Sequence, residues 1–585
     1  MKRARSLVAA ALLAAGCSLQ ADRSGVLGPV NTCDTPSACG GDGTCVDGRC
    51  VATAFDLEGL LVEVRPLANA AFGATTSYLF DPARADIQLR SEGGAPFVAR
   101  MSPTLPEFVS IRAGRVRVHD KTLLGPTCAL GADRAVPAKV TFYRVSPFAG
   151  LPLAPVTATT NAAGQLDVDL VPDTYDVYIE PQPVPDCNDG LPFPPVYFAG
   201  QSITTGGALT WDLPVVGTLT ATIGDFGDAA PAEWKLHLLE PARGLPVSAN
   251  ATVEKPDPAV DLFQIKAQIA WPDGAVPIIR LAPTTTAADE HAAPTAYWTV
   301  ASFSGTKTDP LVPLTVDQLF GKPVKVGGHV YGSDKFTGVR ATLEIHSTAL
   351  SGPDAKNAVF SVDGIEANDH GEFSFSLPPG TYTLRATPID NGLRVTDKEM
   401  FTVVTVPATS NCFCGQSLEL EPKLKLSGAV KTPTGERVAG ATLSVSPAQL
   451  APRSYWNAKH ALAPLAPRVT STVTTHDGNF EMLVDLGSAD VVVQMAPETG
   501  FPWVVRPSLT VDGAALGALV ISNPAILSGS VRDPSGMPVA NAEVNAWLPV
   551  RDATAAKGLA RTVVKIATTS TDADGKYTLL MPASL

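Results

Sequence analysis

The chain is short of charge and of aromatic rings. Charged residues make up 17% and aromatic residues 6% of its 585 positions, against roughly a quarter charged in an ordinary globular domain. The charge it has is one-sided, with a formal net charge of −13. A nucleic-acid binder needs a basic stripe to displace counterions from phosphate, so nucleic acid is excluded as a partner. Catalytic signatures are missing as well. There is no G-x-S-x-G elbow, no H-E-x-x-H pair, no P-loop and no dinucleotide fingerprint. The eight histidines are scattered, none at i, i+4. No set of acid, base and nucleophile is visible, and no cofactor or metal is called for. The chain reads as a non-enzymatic protein.

Proline is plentiful, at 51 residues, and no long amphipathic helix is evident. Few charges and many turn-formers suit short strands in several domains, each with its own core. The stretch NDHGEFSFSLPPGTYTLRA, residues 368–386, shows the design. Phe373, Phe375 and Leu377 alternate with polar residues, the period of a strand with one buried face. Pro378, Pro379 and Gly380 break that strand, and Tyr382, Leu384 and Ala386 begin the next.

At the other end, Lys2, Arg3 and Arg5 precede an apolar run, Leu7 to Ala15, that is too short to span a bilayer. Leu13-Ala14-Ala15-Gly16-Cys17 resembles the lipobox of bacterial lipoproteins, although Ala14 stands where that box favours Leu. The resemblance implies cleavage after Gly16, diacylation of Cys17 and stable membrane anchoring. Ser18 in place of Asp implies the outer membrane. The alternative is an ordinary secretory signal with an incidental cysteine. Removing residues 1–16, with three positive charges and no acid, takes the net charge from −13 to −16.

Residues 18–32 read as a tether. Cys33, Cys39, Cys45 and Cys50 then crowd into 18 residues. In an exported chain this is a unit too small for a core, stapled by two disulfides, with three connectivities open. Zinc is the competing reading, but its usual C-x2-C spacing is absent. The piece DGTCVDGRC resembles the terminal hairpin of EGF-like modules.

A repeat follows. Its opening strand is G-x-V at Gly114, Gly328, Gly428 and Gly529. A second strand is seen at residues 438–443 and 539–544. The hallmark turn comes 43 to 50 residues after the first glycine, at Gly164, Gly371, Gly478 and Gly575, with Asn161, Asp369, Asp477 and Asp574 assigned its Asx role. Eleven residues further on stand Tyr175, Tyr382 and, in the third copy, Ala489. Units of this length are repeat modules.

The pattern resembles the carboxypeptidase regulatory-like or transthyretin-like sandwich. That resemblance implies an all-β fold of tandem Ig-like sandwiches, and says little of function. The match is fullest over residues 323–406, and the copies together cover roughly half the chain. The expected order is signal and lipobox 1–17, tether 18–32, cysteine-rich module 33–51, an unassigned β module 52–112, a repeat 113–212, a divergent β module 213–320, repeats 321–421 and 422–521, and an incomplete repeat 522–585. In the last copy, Gly575 plus eleven falls one position past Leu585. The expectation is therefore a sandwich with an open sheet edge, truncated or completed by a partner strand.

Other candidate residues carry a bland reading beside a sharper one. Cys128 and Cys187 bracket the first repeat and Cys412 and Cys414 precede the third, so both pairs are disulfide candidates in an oxidising compartment. Cys412 and Cys414 could instead help hold a soft metal, but no neighbouring His or Cys completes a site. Asp572-Ala573-Asp574-Gly575 matches part of a calcium loop, with Ser570 and Met581 where ligands should be; turn chemistry is the better account. Trp456 and Trp503 are candidate platforms for sugar rings, against core or hinge packing.

The reading is a lipid-anchored protein of the bacterial outer membrane, acting as a non-enzymatic scaffold or adhesin. The alternatives are a carbohydrate-binding lipoprotein and an accessory subunit of an envelope assembly. The partners are the membrane and either a glycan or an envelope protein.

Overall fold

A computed structural model describes residues 29–585 except 41–42, 57–58, 68–76, 86–89, 92–95, 119–127, 129, 131–133, 147–150, 152, 185–186, 188–192, 215, 225–233, 250–251, 255–261, 271–277, 284–295, 300–313, 316–323, 352–357, 390–391, 405–411, 449–450, 453–464, 551–558 and 561. The chain is all-β, a series of tandem Ig-like sandwiches after a small disulfide-rich segment. Among the described residues no helix is long and apolar enough to cross a membrane.

The cysteine-rich segment is the hairpin β1 (Gly43–Val46) and β2 (Arg49–Ala52). Asp47 and Gly48 both take positive φ, 50° and 78°, as a two-residue hairpin turn of matching twist requires. Next come β3 (Phe55–Asp56), β4 (Leu61–Arg65), β5 (Tyr78–Phe80), β6 (Arg90–Ser91) and β7 (Val98–Arg100). The first continuous sandwich is β8 (Val109–Val118), β9 (Ala138–Arg144), β10 (Val156–Thr159), β11 (Gln165–Leu170), β12 (Asp173–Pro181), β13 (Val196–Ile203) and β14 (Thr210–Leu213). The second is β15 (Val216–Gly224), β16 (Trp234–Leu239), β17 (Thr252–Glu254), β18 (Leu262–Ala270), β19 (Ile278–Pro283), β20 (Ala296–Thr299) and β21 (Leu314–Thr315). The third is β22 (Val324–Tyr331), β23 (Ala341–Leu350), β24 (Ala358–Ala367), β25 (Glu372–Leu377), β26 (Gly380–Pro388), β27 (Thr396–Val403) and β28 (Phe413–Glu419). The fourth is β29 (Leu424–Lys431), β30 (Thr442–Pro447), β31 (Ala451–Pro452), β32 (Thr470–Val473), β33 (Asn479–Val484), β34 (Gly487–Gln494), β35 (Val504–Val511) and β36 (Gly517–Val520). The chain closes with β37 (Pro524–Ser530), β38 (Glu543–Val550), β39 (Leu559–Ala560), β40 (Thr562–Ser570) and β41 (Lys576–Pro582).

One topology recurs. In the first sandwich β10-β9-β12-β13 faces β11-β8-β14, and the last strand runs parallel to the first. The third repeats it as β24-β23-β26-β27 over β25-β22-β28, and the fourth as β32-β30-β34-β35 over β33-β29-β36. In the second, β17 has moved to the other sheet, giving β17-β18-β15-β21 beside β16-β19-β20. The inward rows are the apolar alternations of the sequence, as in β33, where Phe480, Met482 and Val484 are buried and the residues between them exposed.

The unassigned segment 52–112 and the incomplete repeat 522–585 are not two modules. Together they make one sandwich of the same topology, β40-β38-β4-β5 over β41-β37-β7. Strand β4 pairs antiparallel with β38, and β7 runs parallel to β37. Val62, Val64 and Tyr78 share one core with Leu527, Val544, Ile566 and Leu579. This corrects the expectation of an open edge: the fifth, sixth and seventh strand positions are filled from residues 61–100 of the same chain. The boundary at 112 is also displaced, because residues 109–112 begin β8.

The hallmark turns need a second correction. The Asx residue lies three places before each glycine. Asn368 Oδ1 accepts the N–H groups of His370 and Glu372, each at 2.9 Å, and Asp572 Oδ1 those of Asp574 and Lys576. Asn161 was placed correctly; Asp369, Asp477 and Asp574 were not, and Thr475 holds the slot in the fourth sandwich. Asp572 thus serves the turn itself. Gly371 is required at its turn: φ is +76° and a Cβ would come within 2.2 Å of the Val330 carbonyl oxygen.

Candidate functional site: the joints between sandwiches

The cysteine candidates sit in four disulfides, Cys33–Cys45, Cys39–Cys50, Cys128–Cys187 and Cys412–Cys414. The sulfurs of Cys33, Cys39 and Cys50 lie within 4.8 Å of one another, but bonded sulfur is not a thiolate, so they do not form a metal site. Cys17 and Trp456 lie outside the described residues. Trp503 is half-buried against the core shared by residues 52–112 and 522–585. Part of its surface packs at a joint. The repeat tyrosines are internal: Tyr175 donates its hydroxyl to Val171 O and Tyr382 to Pro378 O, at 2.7 and 2.6 Å. Burial raises the Tyr175 phenol to about 12.

The buried polar chemistry concentrates where segments meet. Glu63 on β4 is fully buried. Its carboxylate accepts hydrogen bonds from Arg65 Nε at 2.7 Å, Trp547 Nε1 at 2.8 Å, Asn545 Nδ2 at 3.3 Å and the Ser77 hydroxyl. A buried charge is tolerable only when paired and fully hydrogen-bonded, so this network ties β4 to β38 in one register. Leu61, Trp547 and Val563 on the same face pack with Leu151 of the first sandwich. Arg144 reaches out of the first sandwich to the Ser77 carbonyl while pairing with Asp173.

Each further joint has its own clamp. Arg243 of the second sandwich pairs with Asp176 of the first at 2.8 Å and lies 4.8 Å over the Tyr143 ring. Tyr178 donates to Pro246 O at 2.9 Å across the same joint. The second and third sandwiches share a sheet, with β20 antiparallel to β24. Between the third and fourth, Arg468 binds both oxygens of fully buried Asp485 and donates to the Pro388 and Leu393 carbonyls. Val395 of the third sandwich donates its N–H to Asp485 at 3.0 Å. Burial would raise the Asp485 carboxyl, but the Arg468 and Val395 hydrogen bonds hold it below the usual carboxylate value. Val492 and Val505 of the fourth sandwich pack on the shared core, and β31 pairs with β39. The joints thus form a closed circuit of five sandwiches.

The disulfide hairpin sits at the closure. Asn31 donates to Cys50 O and Gly500 O, and Asn523 to the Cys39 and Gly40 carbonyls. Sequence reasoning missed Glu63, Asp485, Arg468, Asn31 and Asn523. The one signal was Glu63 itself, an acid inside the apolar run Leu60-Leu61-Val62-Glu63-Val64.

No family model and no curated protein matches the chain. Among solved structures, a streptococcal ancillary pilin matches over 53% of this chain and 98% of its own, at 12% identity and a TM-score of 0.21. The shaft pilin SpaA of Lactobacillus rhamnosus GG matches over 34% and 98%, at 14% identity and 0.17. BcpA, the major pilin subunit of Bacillus cereus, matches over 54% and 99%, at 10% identity and 0.13. With scores this low, the description of the fold rests on the strand order itself.

Proposed function

We propose that the chain is a lipid-anchored protein of the bacterial outer membrane that acts as a non-enzymatic scaffold or adhesin, holding its sandwiches away from the bilayer. The observation that carries this reading is the investment of buried polar groups in joints. Glu63, Asp485, Asn31 and Asn523 each bind across a boundary between segments. Such contacts favour one body over five independently mobile domains. The tether leads into the hairpin at the closure, so a pull on it would be shared by two sandwiches at once.

The subunit reading loses its open last sandwich, and the glycan reading rests on Trp503, which is half-buried at a joint. Two measurements test the proposal. Metabolic labelling with an alkyne fatty acid should mark the full chain and not the Cys17→Ala variant; label-free wild type would sink the anchor. The soluble chain from Ser18 onward should pass unretained over peptidoglycan and polysaccharide columns. Retention that free sugar competes away would replace the scaffold with a carbohydrate-binding role.

A further inference from the structure

The four-stranded sheet of the fourth sandwich ends at β32, and among the described residues no strand pairs with its outer side. Thr474 donates its N–H to Ala441 O, and its own carbonyl accepts from Gly440 N. Residue 474 therefore turns its main-chain groups toward β30. Hydrogen-bonding direction alternates along an antiparallel strand, so Val469, Ser471 and Val473 turn theirs toward the open side. Their side chains are exposed too, Val469 at 72% and Val473 at 56%.

Exposed edges are ordinarily guarded by charge, proline or a bulge. Residues 469–475, Val-Thr-Ser-Thr-Val-Thr-Thr, carry no charge and no proline, and the neighbouring Arg468 is committed to Asp485. The run Val469-Thr470-Ser471-Thr472-Val473 is also a palindrome. An antiparallel pair of palindromes about a two-fold axis sets each residue type opposite itself. The same strand position is used for docking elsewhere in this molecule. In the third sandwich β24 takes β20 of the second as an antiparallel neighbour, Tyr297 opposite Val359. The first sandwich has a comparable edge in β10, but its exposed side chains are Thr157 and Thr159, with nothing apolar to bury.

We propose that β32 is a homotypic docking edge: a second copy of this chain adds its own β32 antiparallel about a two-fold axis through Ser471. Val469 of each copy then lies opposite Val473 of the other. The residue pairs 469/473, 471/471 and 473/469 are the hydrogen-bonded ones. Centring the axis on any other residue of the strand leaves at least one exposed valine unmatched. The contact is isologous, so it closes at two copies.

The test uses the full chain with Cys17→Ser, kept in solution and made in an oxidising host. Sedimentation velocity over a concentration series should show a monomer–dimer equilibrium. Val469→Lys with Val473→Lys sets lysine opposite lysine at both ends, and should weaken association at least tenfold with no change in melting temperature. In a hydrogen-bonded pair the two Ser471 Cα atoms would be about 5.5 Å apart, within the range a disulfide spans. Ser471→Cys should therefore cross-link into a dimer under mild oxidation, while Ser444→Cys, one strand further in, should not. A monomer at every concentration would overturn the proposal. So would a dimer that survives the double lysine variant, or one that cross-links as well through Ser444→Cys or through Thr157→Cys.

Discussion

The third sandwich and the one shared by residues 52–112 and 522–585 have the same seven-strand order, yet they are assembled in opposite ways. In the third, all the strands lie within residues 324–419, and Tyr382 seals a turn with a carbonyl four residues back. In the shared sandwich, Tyr577 donates instead to Met101 O, 476 positions away. Local contacts let the third fold as its own stretch of chain becomes available. The shared one must first close a loop, at an entropic cost that grows slowly with length. Its stability is therefore a property of two distant segments at once, and that is what experiment can break.

The largest effect should come from Val62→Asp, which places a carboxylate in the shared core. A loss of about 5 kcal/mol or more is expected, and limited proteolysis should then attack residues 52–108 and 522–585 together. Cleavage confined to one of them would refute the shared sandwich. Leu384→Asp in the third sandwich should expose only residues near 324–419.

Next come the disulfides. Cys128–Cys187 spans 59 positions, and its removal by paired serine substitutions should cost about 4 kcal/mol on the loop-entropy estimate. Cys412–Cys414 spans 2, and the same treatment should leave the denaturant midpoint of the third sandwich nearly unchanged. Equal losses would mean that the short bridge holds more than its own loop.

Glu63→Ala should cost about 3 kcal/mol by leaving the Trp547 and Asn545 donors buried without their acceptor. The loss should appear in the melting of the shared sandwich alone. Asp485→Asn should cost a similar amount at the joint between the third and fourth. The Asp485 carboxyl is depressed in the folded chain, so the folded state binds fewer protons than the unfolded one there. Its contribution is full above the ordinary value of 3.8 and is lost as pH falls below it. Calorimetry at pH 7 and near pH 3 should show the difference between wild type and Asp485→Asn shrinking at acid pH; a constant difference would remove the ion pair from the account.

The smallest effect is expected of two hydroxyls. Tyr382→Phe and Tyr577→Phe should each cost about 1 kcal/mol. Only Tyr577→Phe should loosen residues 52–112 in hydrogen exchange.

What could be read from the sequence followed the same divide. The alternation at Phe373, Phe375 and Leu377, the turn glycines and Tyr382 all act within a few residues, and the expected all-β tandem sandwiches stand in the structure. The Asx residue is displaced by one position in the third sandwich, where Asn368 and Asp369 suit a turn equally well on paper, and by two in the fourth and the shared one, where Thr475 and Asp572 hold the slot. The apolar residues near Leu61 announce a strand but not its neighbour, since a period of two says which face is buried and not against what. Trp503 looks the same in a sequence whether its ring meets solvent or Leu527's core. Arg468 and Asp485 are 17 residues apart in the fourth sandwich, and nothing in either position marks the pair as the anchor for Val395, Pro388 and Leu393 of the third.

Ser528 and Ala99 touch across 429 positions of sequence. At synthesis rates of about 5–20 residues per second, the later strand is made roughly 20–90 s after the earlier one. Through that interval β4, β5 and β7 exist without the sheets they belong to. A chain cut short before Pro524 never acquires them and keeps an apolar, unpaired N-terminal segment on display.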